Sequence, residues 1–227
     1  MAIAGDISSS RKAVGECLPA IFEEVKDVSS EEFREAMKIY AIAFPEGKWR
    51  PISSIESMVS SRRLRLIIGR TGGRVVLMST MYPLKGTPFV LGDYIAVAEE
   101  CRGRGISRQF NLNIFKILED LKFEYLLAEV ENPYLDGDTT KMRRVSYYRR
   151  LGMKELKGIR YMLPPYQGTS PMEMILMILP KRGEDSLDGM TIRDVIIQIF
   201  RELHDRDIDD SILASIIKGI PGRIELV

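Results

Sequence analysis

The residues with the most chemical content lie between Asp93 and Arg108. Tyr94-Ile95-Ala96-Val97 reads as a strand, Ala98-Glu99-Glu100-Cys101 as a short loop, and Arg102-Gly103-Arg104-Gly105-Ile106-Ser107 as a turn opening a helix. Gly103 and Gly105 let the backbone turn tightly and approach a ligand with no Cβ in the way. The first amides of a helix have no partners inside it. Together with the helix dipole they favour a phosphate or diphosphate. Arg102, Arg104 and Arg108 add positive charge at the same point. The competing reading is a surface loop with solvated arginines, because glycine-rich turns are common. The run is not a dinucleotide fingerprint, which needs a third glycine and a later acidic residue. Nor is it a Walker loop, since no Gly-Lys-Ser/Thr occurs.

Several elements must hold that turn in place. Phe22–Val28 is expected as a first strand. Ser29 or Ser30 caps a helix over Glu31–Phe44, with Phe33, Ala36, Met37, Tyr40 and Ala41 on one face, and Pro45 ends it. Ile52–Ser60 is a weaker helix. Arg63–Arg70, Arg74–Tyr82 and Phe89–Val97 read as three antiparallel strands, the first two joined through Thr71-Gly72-Gly73. Gly105–Leu121 is expected as one helix and Glu124–Glu131 as the next strand. A loop from Asn132 to Thr140 leads to a helix capped by Thr139 or Thr140 and stopped at Gly152. Met153–Leu163 and Pro171–Leu179 read as two more strands. This order predicts a mixed α/β fold with helices on both faces of its sheet.

Composition narrows the function classes. The chain has 227 residues, enough for one domain with an appendage. Lys plus Arg number 33 against 32 Asp plus Glu, so net charge offers no argument for a nucleic-acid partner. Cys17 and Cys101 are far apart and His204 has no ligating neighbour, so neither a disulfide framework nor a metal site is expected. No apolar run approaches the roughly 18 residues of a membrane span. Asp6, Arg11, Lys12 and Glu16 interrupt the first 20 residues, which argues against a signal peptide. The expectation is a cytoplasmic protein with a mobile start around Ser8–Ser10.

Two motifs in this order resemble the GNAT superfamily of acetyl-CoA-dependent N-acetyltransferases. Arg102-Gly103-Arg104-Gly105-Ile106-Ser107 resembles its Arg/Gln-x-x-Gly-x-Gly/Ala motif, with Ser107 in the last position. Tyr94–Val97 looks like its bulged strand, and Tyr147-Tyr148-Arg149-Arg150-Leu151-Gly152-Met153 like its Tyr-x-x-x-Gly-Phe run. Ala43-Phe44-Pro45 and Glu129-Val130-Glu131 match as well. Lys141 stands where many members carry an Asn that contacts the pantetheine arm. The resemblance covers about residues 22–180. It implies a GNAT-type, mostly antiparallel central sheet flanked by helices, with a tail at 1–21, an acyltransferase domain at 22–182 and a helical C-terminal extension at 183–227.

What the resemblance implies for chemistry is direct transfer of an acetyl group from acetyl-CoA, with no metal, to a primary amine of a small molecule or peptide. Gly103–Arg108 would hold the diphosphate. The pantetheine arm would pair as an added strand with Ile95, Ala96 and Val97, and the amide of Val97 would face the thioester oxygen. Tyr148 is the implied general acid for the departing thiolate, and Glu129 the first candidate base, ahead of Glu131 and Asp93. Each has a plainer reading, a packed tyrosine or a solvated strand acid. The alternative function is a CoA-binding sensor without turnover, which needs neither Tyr148 nor Glu129.

Arg143, Arg144, Arg149 and Arg150 form a second basic cluster, read either as solvated or as contacts to the 3′-phosphate of CoA or to an acidic substrate. Trp49 and Arg50 stand where an acceptor pocket is often shaped. Met190–Asp205 and Ile208–Ile220 are amphipathic, with apolar stripes that must bury on the same subunit or in a homodimer. Their polar faces are mixed in sign, which argues against a membrane surface.

Overall fold

Alternating apolar residues on either side of Thr71-Gly72-Gly73 fold as a hairpin. β3 (Arg65–Thr71) and β4 (Arg74–Pro83) pair antiparallel, and Gly72 and Gly73 hold φ at 56° and 79°. A two-residue turn needs this left-handed pair to match the twist of its strands. The computed structural model describes residues 2–4, 19–44, 50–165 and 170–227; Ser8–Ser10, Cys17, Pro45 and Trp49 lie outside them. The chain forms two compact units, Met1–Pro83 with Val90–Lys122, and Leu84–Phe89 with Phe123–Val227.

In the first unit β2 (Ile21–Val25), β3, β4 and β5 (Phe89–Val97, in this unit from Val90 onward) pair antiparallel in that order. β1 (Ala2–Ala4) lies parallel on β5, a strand not expected from a mobile tail. α1 (Glu31–Ala43) starts at Ser30, whose Oγ accepts the Phe33 N–H at 3.2 Å. It packs on β4 and buries Phe33, Ala36, Met37 and Tyr40, as the spacing predicts, but Ala41, expected on the same face, is exposed near the end of the helix and Ile39 is buried instead. α2 (Ile52–Ser60) buries Ile55, Met58 and Val59.

The helix expected over Gly105–Leu121 is two, α3 (Ile106–Leu112) and α4 (Ile114–Leu121). They meet at Asn113, with φ −100° and ψ −1°. The side-chain amides of Asn111 and Asn113 donate to the carbonyls of Ser107 and Gln109, four residues back, at 2.6 and 2.8 Å. Such local bonds compete with the backbone ladder and break the helix there.

β5 carries one residue too many for its partner. Met81 pairs with Gly92 and Ser79 with Ile95, so Thr80 alone opposes Asp93 and Tyr94. Thr80 Oγ1 accepts the Tyr94 N–H at 3.0 Å, satisfying an amide that the ladder leaves over. This is a β-bulge, and it re-aims the side chains beside it.

In the second unit β6 (Tyr125–Glu131) pairs antiparallel with β9 (Met172–Leu179). β9 also pairs antiparallel with β7 (Lys154–Glu155) and β8 (Tyr161–Leu163). The single strand expected at Met153–Leu163 is therefore split. Gly158, with φ 83°, turns the chain between the pieces, and Leu156 bridges to Leu226. α5 (Thr139–Arg150) is capped by Asp138, whose carboxylate accepts the Thr140 and Lys141 N–H groups, and not by either threonine.

The C-terminal extension belongs to this unit. α6 (Gly189–His204) buries Ile192, Val195, Ile196, Ile199 and Phe200, and α7 (Ser211–Lys218) buries Leu213 and Ile216. β10 (Ser186–Asp188) pairs antiparallel with β11 (Arg223–Glu225), a pair with no counterpart in the sequence reading. Gly189 closes that pair so tightly that a Cβ there would sit 1.9 Å from the Pro221 carbonyl oxygen. Both units mix helices with strands, and among the described residues the pairings within each are antiparallel apart from β1 on β5. No described helix is long and apolar enough to cross a membrane.

Candidate functional site

The turn after β5 ends the strand and opens α3. Ala98 donates to Val76 at 2.9 Å, and Glu99–Cys101 makes one 3₁₀ turn. Gly103 and Gly105 follow with φ of 75° and 81°. A Cβ on Gly105 would meet nothing within 4 Å. The backbone conformation therefore demands glycine there, while internal crowding does not. The Arg102 and Arg104 amides bond to Glu99 and Cys101, and Gln109 is the first to find a helical acceptor, Gly105, at 2.9 Å. Among the described residues the amides of Gly103, Gly105, Ile106, Ser107 and Arg108 have no acceptor, and no side chain caps α3.

The arginines of the turn divide. Arg104 and Arg108 are exposed. Arg102 turns back, its Nε donating to the Val97 carbonyl at 3.3 Å, so part of its guanidinium holds the loop and not a ligand. A cleft of about 190 Å³ includes Val97 and Arg102 but also Glu35, Lys38, Arg74 and Glu99. Its charges are mixed, which gives it no clear preference for an anion.

Ile95 and Ala96 pair with Ser79 and Met78 on one side and with Ile3 and Ala4 on the other. The edge expected to lie open for an extended ligand at Ile95–Val97 is thus taken at Ile95 and Ala96 by a segment of the chain itself. An unpaired strand edge is a template for any extended backbone.

Beside the bulge three aromatic rings, from α1, from the residue after it and from β5, meet an arginine and an aspartate. The rings of Tyr40, Phe44 and Tyr94 lie pairwise 5.0–5.1 Å apart. Tyr40 donates its hydroxyl to the Arg50 carbonyl at 2.8 Å, and the Arg50 guanidinium lies 4.0 Å from Asp93. Burial raises the Tyr40 and Tyr94 hydroxyls above the usual tyrosine range; for Tyr40 the Tyr94 hydroxyl and then the Asp93 carboxylate add to it, and for Tyr94 the Asp93 carboxylate does.

Tyr148 and Glu129 belong to the second unit. α5 ends in a Schellman motif: Met153 donates to Tyr148 at 3.1 Å and Gly152, at φ 85°, to Arg149 at 3.0 Å. The Tyr-x-x-x-Gly spacing thus has a local cause, since it fixes Tyr148 one turn before the helix stops. Tyr148 is fully buried, and its hydroxyl has no hydrogen-bond partner among the described residues. Burial, then Tyr147, push its pKa far up, with Arg144 opposing, so it keeps its proton at neutral pH.

The two acids of β6 differ. Glu131 is held by Arg144 at 2.6 Å. Glu129, half-buried, accepts the Tyr161 hydroxyl at 2.5 Å. Tyr161 was missed by sequence reasoning; it is 32 residues from Glu129 and no local motif marks it. The second basic cluster also separates: Arg149 reaches Glu155 and the Tyr134 hydroxyl, whereas Arg143 and Arg150 are exposed. Lys141 is paired with Asp136 at 2.6 Å. No group of metal-ligating side chains occurs among the described residues.

No family model matches the sequence, and no curated protein matches it significantly. Solved structures do match. A protein from Bacteroides thetaiotaomicron assigned to the GNAT family of acetyltransferases superposes with a TM-score of 0.64 at 17% identity, over 81% of this chain and 97% of its own. The chain has the GNAT fold. An aminoglycoside 6′-N-acetyltransferase complexed with coenzyme A gives 0.54 at 12% identity, over 72% of this chain and 99% of its own. A spermidine N-acetyltransferase chimera from Vibrio cholerae and hSSAT gives 0.52 at 10% identity, over 72% and 96%. With this fold the chain has a bulged strand and a glycine turn with spare amides in its first unit, and a buried tyrosine before a glycine helix stop in its second.

Proposed function

We propose that this chain is an N-acetyltransferase that uses acetyl-CoA and acetylates a primary amine of a small molecule or peptide by direct attack. The observation that carries the reading is the run of acceptor-less amides at Gly103, Gly105, Ile106, Ser107 and Arg108. A diphosphate satisfies several such donors at once, which neutral side chains cannot. The similarity in fold supports it, as do two neighbours named for amine substrates, an aminoglycoside and spermidine.

In this reading the amine nitrogen attacks the thioester carbonyl, forming a C–N bond as the C–S bond breaks. The amine proton passes to Glu129, directly or through a water, and the departing thiolate takes the proton of Tyr148. The products are an amide and free CoA thiol, and solvent restores both side chains. Glu129 is preferred over Glu131 and Asp93 because each of those faces an arginine, Arg144 at 2.6 Å and Arg50 at 4.0 Å, whereas Glu129 meets a neutral hydroxyl. A sensor without turnover is the second reading. It gives no reason for a buried tyrosine hydroxyl without a partner, which costs about 1–3 kcal/mol.

The test is thiol release from acetyl-CoA across polyamines, aminoglycosides, amino acids and peptides, beside calorimetry with CoA. Heat on binding and release with at least one amine class are expected. No heat with any CoA species ends the reading; heat without release leaves the sensor.

A further inference from the structure

Tyr161 carries a hydroxyl into a fully buried position, and the strand registers explain what it meets there. Tyr161 of β8 pairs with Met174 of β9, and Met174 pairs with Glu131 of β6. Paired residues share a sheet face, as do residues two apart on one strand. Tyr161, Met174, Glu131 and Glu129 therefore lie on one face. Glu129 and Tyr161 stand two strands apart and two residues along, about 12 Å between backbones. Only a side chain as long as tyrosine spans that gap to a carboxylate. It does so at 2.5 Å, short for a neutral donor and typical of a hydroxyl held by a charged acceptor.

The phenol is itself held. The fully buried Phe200 of α6 meets the Tyr161 ring edge-on, at 6.2 Å and 86°, and α7 packs on β8. Burial first, then the Glu129 charge, drive the Tyr161 pKa well up, so it remains a donor across neutral pH. Other titratable or charged groups on the packed elements are Glu131 with its partner Arg144, Tyr147 and Tyr148 of α5, and His204, whose ring lies 5.4 Å from that of Phe200.

We infer that Tyr161, braced by Phe200 of the C-terminal extension, is a positioning residue that fixes the Glu129 carboxylate for accepting the proton of the incoming amine. The inference rests on the reading of Glu129 as base. It gives the extension a part in the reaction: α6 sets the aim of a group that it does not itself carry. A neutral hydroxyl suits that task, because it orients one carboxylate oxygen without the cationic field that Arg144 imposes on Glu131.

The experiment uses full-length protein labelled with ¹³C at the glutamate carboxyls, the Glu129 resonance being identified by its loss in Glu129→Gln. Tyr161→Phe should move that resonance at neutral pH, because the hydrogen bond that orients the carboxylate has been removed. Turnover should fall by about tenfold or more, while KM for acetyl-CoA changes less than about twofold. His204→Gln should leave both in place. Phe200→Leu, which keeps the hydroxyl but loosens its ring, should move the resonance in the same direction and serves if Tyr161→Phe does not fold. An unmoved Glu129 resonance in Tyr161→Phe and in Phe200→Leu overturns the positioning role, even if Glu129→Gln abolishes turnover. A moved resonance with turnover indifferent to Glu129→Gln overturns the base reading instead, and the positioning role with it.

Discussion

Replacing Tyr148 by phenylalanine separates a catalytic hydroxyl from a structural one. The ring is fully buried and its hydroxyl has no partner among the described residues. Removing a hydrogen-bonded hydroxyl ordinarily costs about 1 kcal/mol, but leaving one buried and unbonded itself costs about 1–3 kcal/mol. Tyr148→Phe should therefore keep or raise stability, by up to about 1 kcal/mol, or about 2–4 °C in Tm for a chain of this size. Turnover should fall about 10²–10⁴-fold if the hydroxyl protonates the thiolate. CoA affinity should stay within about twofold, since the amides of the glycine turn are untouched. Thermal unfolding, calorimetry with CoA and thiol release read the three quantities. A variant that is several degrees less stable would show that the hydroxyl has a structural partner. Turnover within about threefold of the parent would refute its role as acid.

Gly105→Val should fold, because its Cβ meets nothing within 4 Å, at a strain of about 1–2 kcal/mol for a left-handed φ of 81°. It should bind CoA at least tenfold more weakly by calorimetry, and unchanged affinity removes the phosphate-turn argument. Gly189→Ala drives a Cβ to within 1.9 Å of a backbone oxygen. It should cost more than about 3 kcal/mol in urea unfolding, and a cost under about 1 kcal/mol contradicts the closure at β10 and β11. Burial holds Tyr40, Tyr94, Tyr148 and Tyr161 above the usual tyrosine pKa. Unfolded tyrosines lose their protons near pH 10 while these keep theirs. The stability they contribute is thus complete below about pH 10 and falls above it, by up to about 5 kcal/mol per pH unit for four groups. Urea titrations from pH 8 to 11 should show the decline, and a flat profile contradicts it.

What the sequence disclosed, and what it hid, follows from the range of the interactions. The hairpin at Gly72-Gly73, the glycine turn and the helix stop at Gly152 depend on backbone angles that a few adjacent residues dictate, and each was legible. Helix faces followed from periodicity, as at Phe33, Ala36, Met37 and Tyr40. The break at Asn113 was a weaker signal: two asparagines among apolar residues, whose amides fold back on the previous turn. At α5 an aspartate stood one place ahead of the threonines and, as a charged acceptor, took the cap. The bond between Tyr161 and Glu129 and the closure of β10 on β11 join residues 32 or more apart, where no local pattern exists. The pairing of Ala2–Ala4 with Tyr94–Ala96 is more distant still.

That last pairing has a thermodynamic consequence. Any extended ligand laid along Ile95 and Ala96 must first displace Ile3 and Ala4, which couples its binding to the release of that segment. Affinity measured from outside is then the intrinsic affinity scaled by the vacant fraction: with nine molecules in ten plugged, it is about tenfold weaker. Whatever draws Ala2–Ala4 away, a shortened chain or a bound partner, raises the apparent affinity for such a ligand without altering one residue of the glycine turn.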